Sequence, residues 1–278
     1  NHYKISEDTV MNTFNINRFW NTLVRLFMTR KKELRNIFFT YSILFFVLSV
    51  FATGIFNTDP LTDVEALDSL LGVTPMYMII YFGGAVLMGA FVIKDLEYRG
   101  ARIHELALPA TNLEKYAARV IYSSLGILIT ASCGVLLADG LQQLMSMLMH
   151  HGGRASIIGL AFMSPAFSEV PTSKLIAAIL GLVLNNASFI LGGMFFRKVA
   201  WLKTSIALWV LAMIGSMGVT LFASILFFYT DYELYIDQDM QITSYIIGYS
   251  LVGIALFYFL GYRLYCRLQV INNRWINI

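Results

Sequence analysis

Histidines, cysteines and apolar-block amides are the groups here that could bind a metal, attack a bond or line a polar path. The four histidines are His2, His104, His150 and His151. The pair His150-His151 invites a metal, but sequence neighbours project to different faces of any regular element. No Cys or carboxylate stands beside them at ligand spacing. No metal site is expected. Cys133 falls in an apolar block and Cys266 in a basic tail, so neither a disulfide nor a ligand pair is expected. The sequence has no G-x-x-x-x-G-K-[ST] phosphate loop, no H-E-x-x-H and no G-x-S-x-G. ATP binding by that loop and hydrolysis by those devices are therefore absent, and no cofactor is expected in this chain. Asn185 and Asn186 lie near the middle of an apolar block. Amides there either bond a neighbouring helix or line an aqueous path, and both readings stand. No Lys, Arg, Asp or Glu is expected at the centre of any span, which argues against an ion-driven pump.

The elements that must position these groups are set by composition. Of 278 residues, 58% are apolar and 13% charged, with a mean hydropathy of +0.66. Soluble domains run nearer 45–50% apolar and about 25% charged. A soluble enzyme, a disordered chain and a disulfide scaffold are excluded on that balance, and a net charge of +3 gives no basic surface for nucleic acid. The apolar residues fall in continuous blocks, which suit helices and not the alternating strands of a membrane barrel. The expected fold is all-α: a polytopic membrane protein with six transmembrane helices at about 37–56, 75–93, 117–138, 175–196, 204–229 and 242–262. Residues 1–36 would form an N-terminal segment with an amphipathic interfacial helix, 37–262 the transmembrane domain and 263–278 a tail.

Charge sets the expected orientation. Lys4, Arg18, Arg25, Arg30, Lys31, Lys32 and Arg35 precede the first span; Lys94, Arg99, Arg102, Lys115 and Arg119 follow the second. Arg197, Lys198 and Lys203 follow the fourth, and Arg263, Arg267 and Arg274 the sixth. The opposite loops hold only Arg154 and Lys174, and two of them are acidic, with Asp59, Asp63, Glu65 and Asp68 in one and Asp231, Glu233, Asp237 and Asp239 in the other. Both termini are therefore expected in the cytoplasm. Trp20, Trp201 and Trp275 stand beside the basic groups, where headgroup-depth anchors belong. No cleaved signal peptide is expected, and Met11 opens a stretch that reads like a natural start.

Three segments lie outside the expected spans. Residues 13–35 read as a basic amphipathic helix, with Ile16, Trp20, Leu23, Val24 and Phe27 on one face. In Asp95 to Ala118, Thr111 and Glu114 have the spacing of a capping box, and Pro109 stops any earlier helix. A short helix at about 95–107 should meet a corner at 108–111. The outer segment 139–174 begins with a methionine-rich stretch, Leu141 to Met149, expected to lie on or dip into the outer leaflet.

These features, above all the run Leu106-Ala107-Leu108-Pro109-Ala110-Thr111-Asn112-Leu113-Glu114-Lys115-Tyr116, resemble the small six-span permease subunits of ABC-2 type ABC transporters, Bacteroidetes-like in kind. The resemblance covers most of Met11 to the C-terminus. It implies a permease of an ATP-driven exporter in a bacterial inner membrane, with ATP and magnesium on a separate ATPase subunit. It also implies a homodimer or pairing with a second permease. The cytoplasmic segment 94–116 would couple to the ATPase: Glu97, Arg102 and Glu105 in the docking helix; Leu108, Pro109, Thr111, Glu114 and Lys115 in the elbow. Asn185 and Asn186 are candidates for the translocation path. The sequence departs from better-known members in placing its long outer segment between spans three and four. Two other readings stay open: a non-transporting membrane scaffold or sensor, and an intramembrane enzyme.

Overall fold

A computed structural model describes residues 13–56, 62–149, 156, 158–159, 170–229 and 241–268. The protein is 88% helical and has no strands among these residues. The helices are α1 (Ile16–Thr29), α2 (Lys31–Ala52), α3 (Asp63–Met88), α4 (Arg99–Leu106), α5 (Asn112–Ile121), α6 (Ile127–Met149), α7 (Thr172–Phe195), α8 (Ala200–Tyr229) and α9 (Gln241–Cys266). Short 3-10 turns at Gly89–Phe91 and Lys94–Glu97 follow α3, and a π-helical turn, Tyr122–Gly126, joins α5 to α6. Six helical stretches are long and apolar enough to cross a bilayer. The chain is an all-α polytopic membrane protein. Its residues form two compact units: Asn1–Val86 with Leu113–Pro171, and Leu87–Asn112 with Thr172–Ile278.

Helix ends differ from the expected span ends because backbone hydrogen bonding does not stop where hydrocarbon does. Hydropathy puts the third span at 117–138, yet helix runs from Asn112 to Met149, 38 residues or about 57 Å, against a hydrocarbon core near 30 Å. Leu141 to Met149 is thus the end of α6 and not a separate outer-leaflet helix. Helix α3 starts at Asp63, before the span expected from about 75, and Pro75 lies inside the helix. Thr62 and Glu65 cap it. Thr62 donates N–H and hydroxyl to Glu65 Oε2 at 2.8 and 2.9 Å, and Glu65 N–H returns to Thr62 Oγ1 at 3.4 Å. The amphipathic lead-in stops at Thr29; Lys31 to Asn36 already belong to α2. His150, His151 and the acidic stretch 231–239 lie outside the described residues, as do residues 1–10 and Trp275.

In the first unit α2, α3 and α6 interlock through aromatics and small polar groups. Phe45 stacks on Tyr77 at 5.3 Å between ring centroids, and Tyr81 Oη lies 2.5 Å from Ser132 Oγ. A Cβ on Gly134 would stand 2.8 Å from the Phe38 carbonyl oxygen, so α2 and α6 can approach only without a side chain there. Asp139, Gln142 and Ser146 are buried along α6, with Gln142 Nε2 donating to Thr53 Oγ1 at 3.2 Å and Ser156 Oγ donating to Asp139 Oδ2 at 2.6 Å. Asp139 is an acidic residue buried within a spanning helix, toward the middle of α6 but beyond the expected span end at 138.

In the second unit α7 packs against α9 and the 3-10 turn Gly89–Phe91. A Cβ on Gly193 would meet the Ala90 backbone, its oxygen at 2.5 Å and carbonyl carbon at 2.8 Å. From Ser205 onward α8 has no buried residue, leaving an apolar surface for lipid. Just before α8, Val199 has φ of 51°. A β-branched side chain in the left-handed region is strained by about 1–2 kcal/mol. Val199→Gly is therefore expected to raise the thermal midpoint, with a gain of about 1 kcal/mol read by unfolding in detergent. An unchanged or lowered midpoint would show that the exposed valine carries no strain.

Candidate coupling site

The segment expected to couple is divided between the units at Asn112 and Leu113. In the second unit, Tyr98 is extended, with φ −89° and ψ 136°, and breaks the expected 95–107 helix into a 3-10 turn and α4. Arg102 is 4% exposed. Its Nε donates to the Leu96 carbonyl at 2.6 Å and its Nη2 to the Glu97 carbonyl at 3.1 Å, so it closes the open carbonyl end of the preceding turn. Burial, and then the nearby Arg197 charge, pull its basicity below the ordinary arginine value. Arginine stays cationic in proteins, and the carbonyls are what make its burial tolerable. One turn on, Glu105 accepts a hydrogen bond from the Tyr265 hydroxyl of α9 at 2.7 Å.

Residues three apart share a helix face, and Arg102 and Glu105 turn theirs inward. The exposed residues are mixed: Ile103 and Leu106 are 48% and 47% exposed and Tyr98, just before the helix, 77%, while Arg99 and His104 are exposed as well. The short helix therefore buries one pair of charged residues and presents a mixed apolar and polar surface. Arg102 and Glu105, expected within the docking helix, hold that helix in place. Glu97 and Pro109 are exposed, and Leu108 and Thr111 half-buried. Across Pro109, the Ala110 N–H donates to the Leu108 carbonyl at 2.8 Å, which tightens the corner expected at 108–111.

Helix α5 begins at Asn112, one residue after Thr111, as the capping-box spacing requires. In the first unit, Glu114 is fully buried and Lys115 is 4% exposed, so neither presents a free surface. Glu114 Oε1 accepts from the Asn15 N–H at 2.6 Å and from Arg18 Nη2 at 3.0 Å. Asn15 in turn caps α1, its Oδ1 accepting from Asn17 N–H at 2.9 Å. One carboxylate thus holds the start of the amphipathic helix. Phe19 and Leu23 pack on Ala118 beside Phe27, Ala117 and Ile121. The buried face of α1 is Phe19, Leu23 and Leu26; Ile16 and Trp20, expected on the same face as Leu23, are exposed with Met28. The helix therefore has a protein side and a separate apolar side.

The corner between α1 and α2 meets the π-helical turn, which no residue spacing announces. Arg30 pairs with Glu33 at 2.6 and 2.9 Å, and its guanidinium carbon lies 4.6 Å from the Tyr122 ring centroid. Phe27 meets the same ring edge-on at 5.2 Å. Such π turns interrupt helices at functional positions more often than elsewhere. Its trace in the sequence is faint: a tyrosine, two serines and a glycine at the start of an apolar block.

Asn185 and Asn186 separate. Asn185 is exposed and its amide donates to the Gly181 carbonyl of its own helix at 2.9 Å. Asn186 is buried against Gly89, which matches the packing reading of that amide. Neither is among the residues that line two cavities described in the second unit, one beside Ala90 and Lys94 and one beside Ser188 and Arg263. Among the described residues no cluster of three His, Cys, Asp or Glu side chains could hold a metal. What these helices and contacts establish is a six-span membrane protein with two anchored polar corners; no known family, curated protein or solved structure matches the chain.

Proposed function

We propose that the chain is the membrane-spanning permease subunit of an ATP-driven transporter of the ABC-2 type, an exporter of a bacterial inner membrane. A separate ATPase drives it through residues 94–116, and two permease chains, identical or not, complete the assembly. One observation carries this reading: Tyr98 and, on α4, Ile103 and Leu106 are exposed beside Arg99 and His104, while Arg102 and Glu105 fix the helix from beneath. Apolar side chains set among charged ones on a short, rigidly held helix suit a protein partner that pushes on it. The absence of a phosphate loop in the sequence assigns ATP to that partner. The excess of Lys and Arg flanking this segment puts it on the cytoplasmic side, where such a partner works.

The test is co-purification of the full chain with an ATPase encoded beside it. A stable complex whose ATP turnover changes on assembly is expected. Leu106→Asp should weaken association about tenfold or more, and Leu108→Asp less, because Leu108 is half-buried. Membrane insertion should be unchanged in both. No complex, or a complex only with a protein that hydrolyses no nucleotide, would turn the assignment toward a scaffold or sensor. An epitope tag near Glu233 should be reached only from outside the cell; access from the cytoplasm would reverse the topology and remove the coupling segment from the ATPase.

A further inference from the structure

A cavity of about 630 Å³ opens in the second unit between α7, α8 and α9. Leu191 and Phe195 line it from α7, Leu208 and Leu211 from α8, and Phe257 and Leu260 from α9. Its size falls in the range of pockets that hold small organic ligands. Its chemistry is divided lengthwise. One end carries two cations, Arg263 and Arg267, and no acidic residue lines any part of it. Arg263 is exposed and its guanidinium lies over the Phe259 ring, 5.4 Å from guanidinium carbon to centroid, so the ring helps fix the fork beside the cavity.

The length is informative. From Phe257 to Cys266, where α9 ends just before Arg267, the wall rises about 14 Å at 1.5 Å per residue, nearly half of a hydrocarbon core near 30 Å. A channel one leaflet deep, greasy along its length and doubly cationic at its end, matches one molecule class. We propose that it binds an anionic phospholipid of the surrounding bilayer, with an acyl chain in the apolar channel and the phosphate held by Arg263 and Arg267. Arginine suits the role because its planar fork meets phosphate oxygens in pairs. Basic pockets between transmembrane helices take such headgroups for the same reason. This site does not depend on the transporter reading, since any protein with this groove would hold the lipid.

The full chain, purified in detergent and offered equal amounts of phosphatidylglycerol and phosphatidylethanolamine, should retain the anionic lipid about tenfold over the zwitterionic one by native mass spectrometry. Arg263→Gln with Arg267→Gln should bring the two lipids to parity, and Arg263→Lys with Arg267→Lys, which keeps the charge but loses the paired bonds, should keep only part of the preference. Leu208→Trp, which fills the channel, should lower retention of both. Gel filtration identifies any variant that fails to fold, and the lysine pair then stands as the readout. Millimolar glycerol phosphate should not displace the lipid; displacement would mean an anion site without a role for the channel and would overturn the proposal. Equal retention of the two lipids by the wild type, or an undiminished preference in the glutamine pair, would overturn it as well.

Discussion

Glu114→Leu is expected to detach α1 from α5 and to cost about 3 kcal/mol of stability, the scale for removing one partner of a buried ion pair. The carboxylate is fully buried, while the Arg18 side chain is 23% exposed. Removing the acid leaves Arg18 partly in water, which limits the electrostatic part of the loss. It also leaves the Asn15 N–H without its 2.6 Å acceptor, at the residue that caps the helix. Helix cap and helix dock therefore fail together. Trypsin should then cut at Arg18 and Arg25 many times faster than in the wild type, before the rest of the chain is touched. Glu114→Gln is the informative companion. Its amide oxygen can still accept from Asn15 but brings no charge to Arg18, so it should lose about half as much. If α1 stayed protected in Glu114→Leu, the apolar contacts of Phe19 and Leu23 alone would be holding it.

Gly193→Ala is expected to be strongly damaging for the addition of a single carbon. The added Cβ would sit 2.5 Å from the Ala90 carbonyl oxygen, 2.8 Å from its carbon and 3.0 Å from its Cα. All three are backbone atoms, so no side chain can rotate away, and α7 must part from the turn Gly89–Phe91. Overpacking of this kind costs about 1–3 kcal/mol, at the upper end where backbone must move. Gly181→Ala on the same helix is the control, because nothing lies within 4 Å of its Cβ position. The two variants share helix, residue type and added mass, so their difference isolates the close approach. A lower yield and a thermal midpoint lowered by several degrees are expected for Gly193→Ala only. Equal behaviour of the pair would mean that α7 and the turn are not packed as described.

How much of this protein can be read from its residues follows from which forces are local. Continuous apolar blocks can only be buried in lipid as helices, so the six spans are legible from hydropathy alone. The corner at Pro109 and the helix start after Thr111 are legible because proline and capping chemistry act within four residues. The same spacing at Thr62 and Glu65 starts α3 outside the apolar block, so the helix begins before the span that hydropathy places from about 75. Helix ends beyond the hydrocarbon carry little apolar signal, which is why the expected third span ends at Ala138 and α6 does not.

The coupling residues show the limit more sharply. Arg102, Glu105, Glu114 and Lys115 are charged residues beside a membrane, and from sequence alone a charged residue there is expected to be solvated. Burial reverses that expectation, and burial depends on partners far along the chain: Tyr265 lies 160 residues from Glu105, and Arg18 lies 96 from Glu114. Local chemistry by itself determined that this chain is a bundle of apolar helices with a capped polar corner. Only the tertiary structure decided which side of that corner faces outward, because a side chain's exposure is fixed by what folds back onto it.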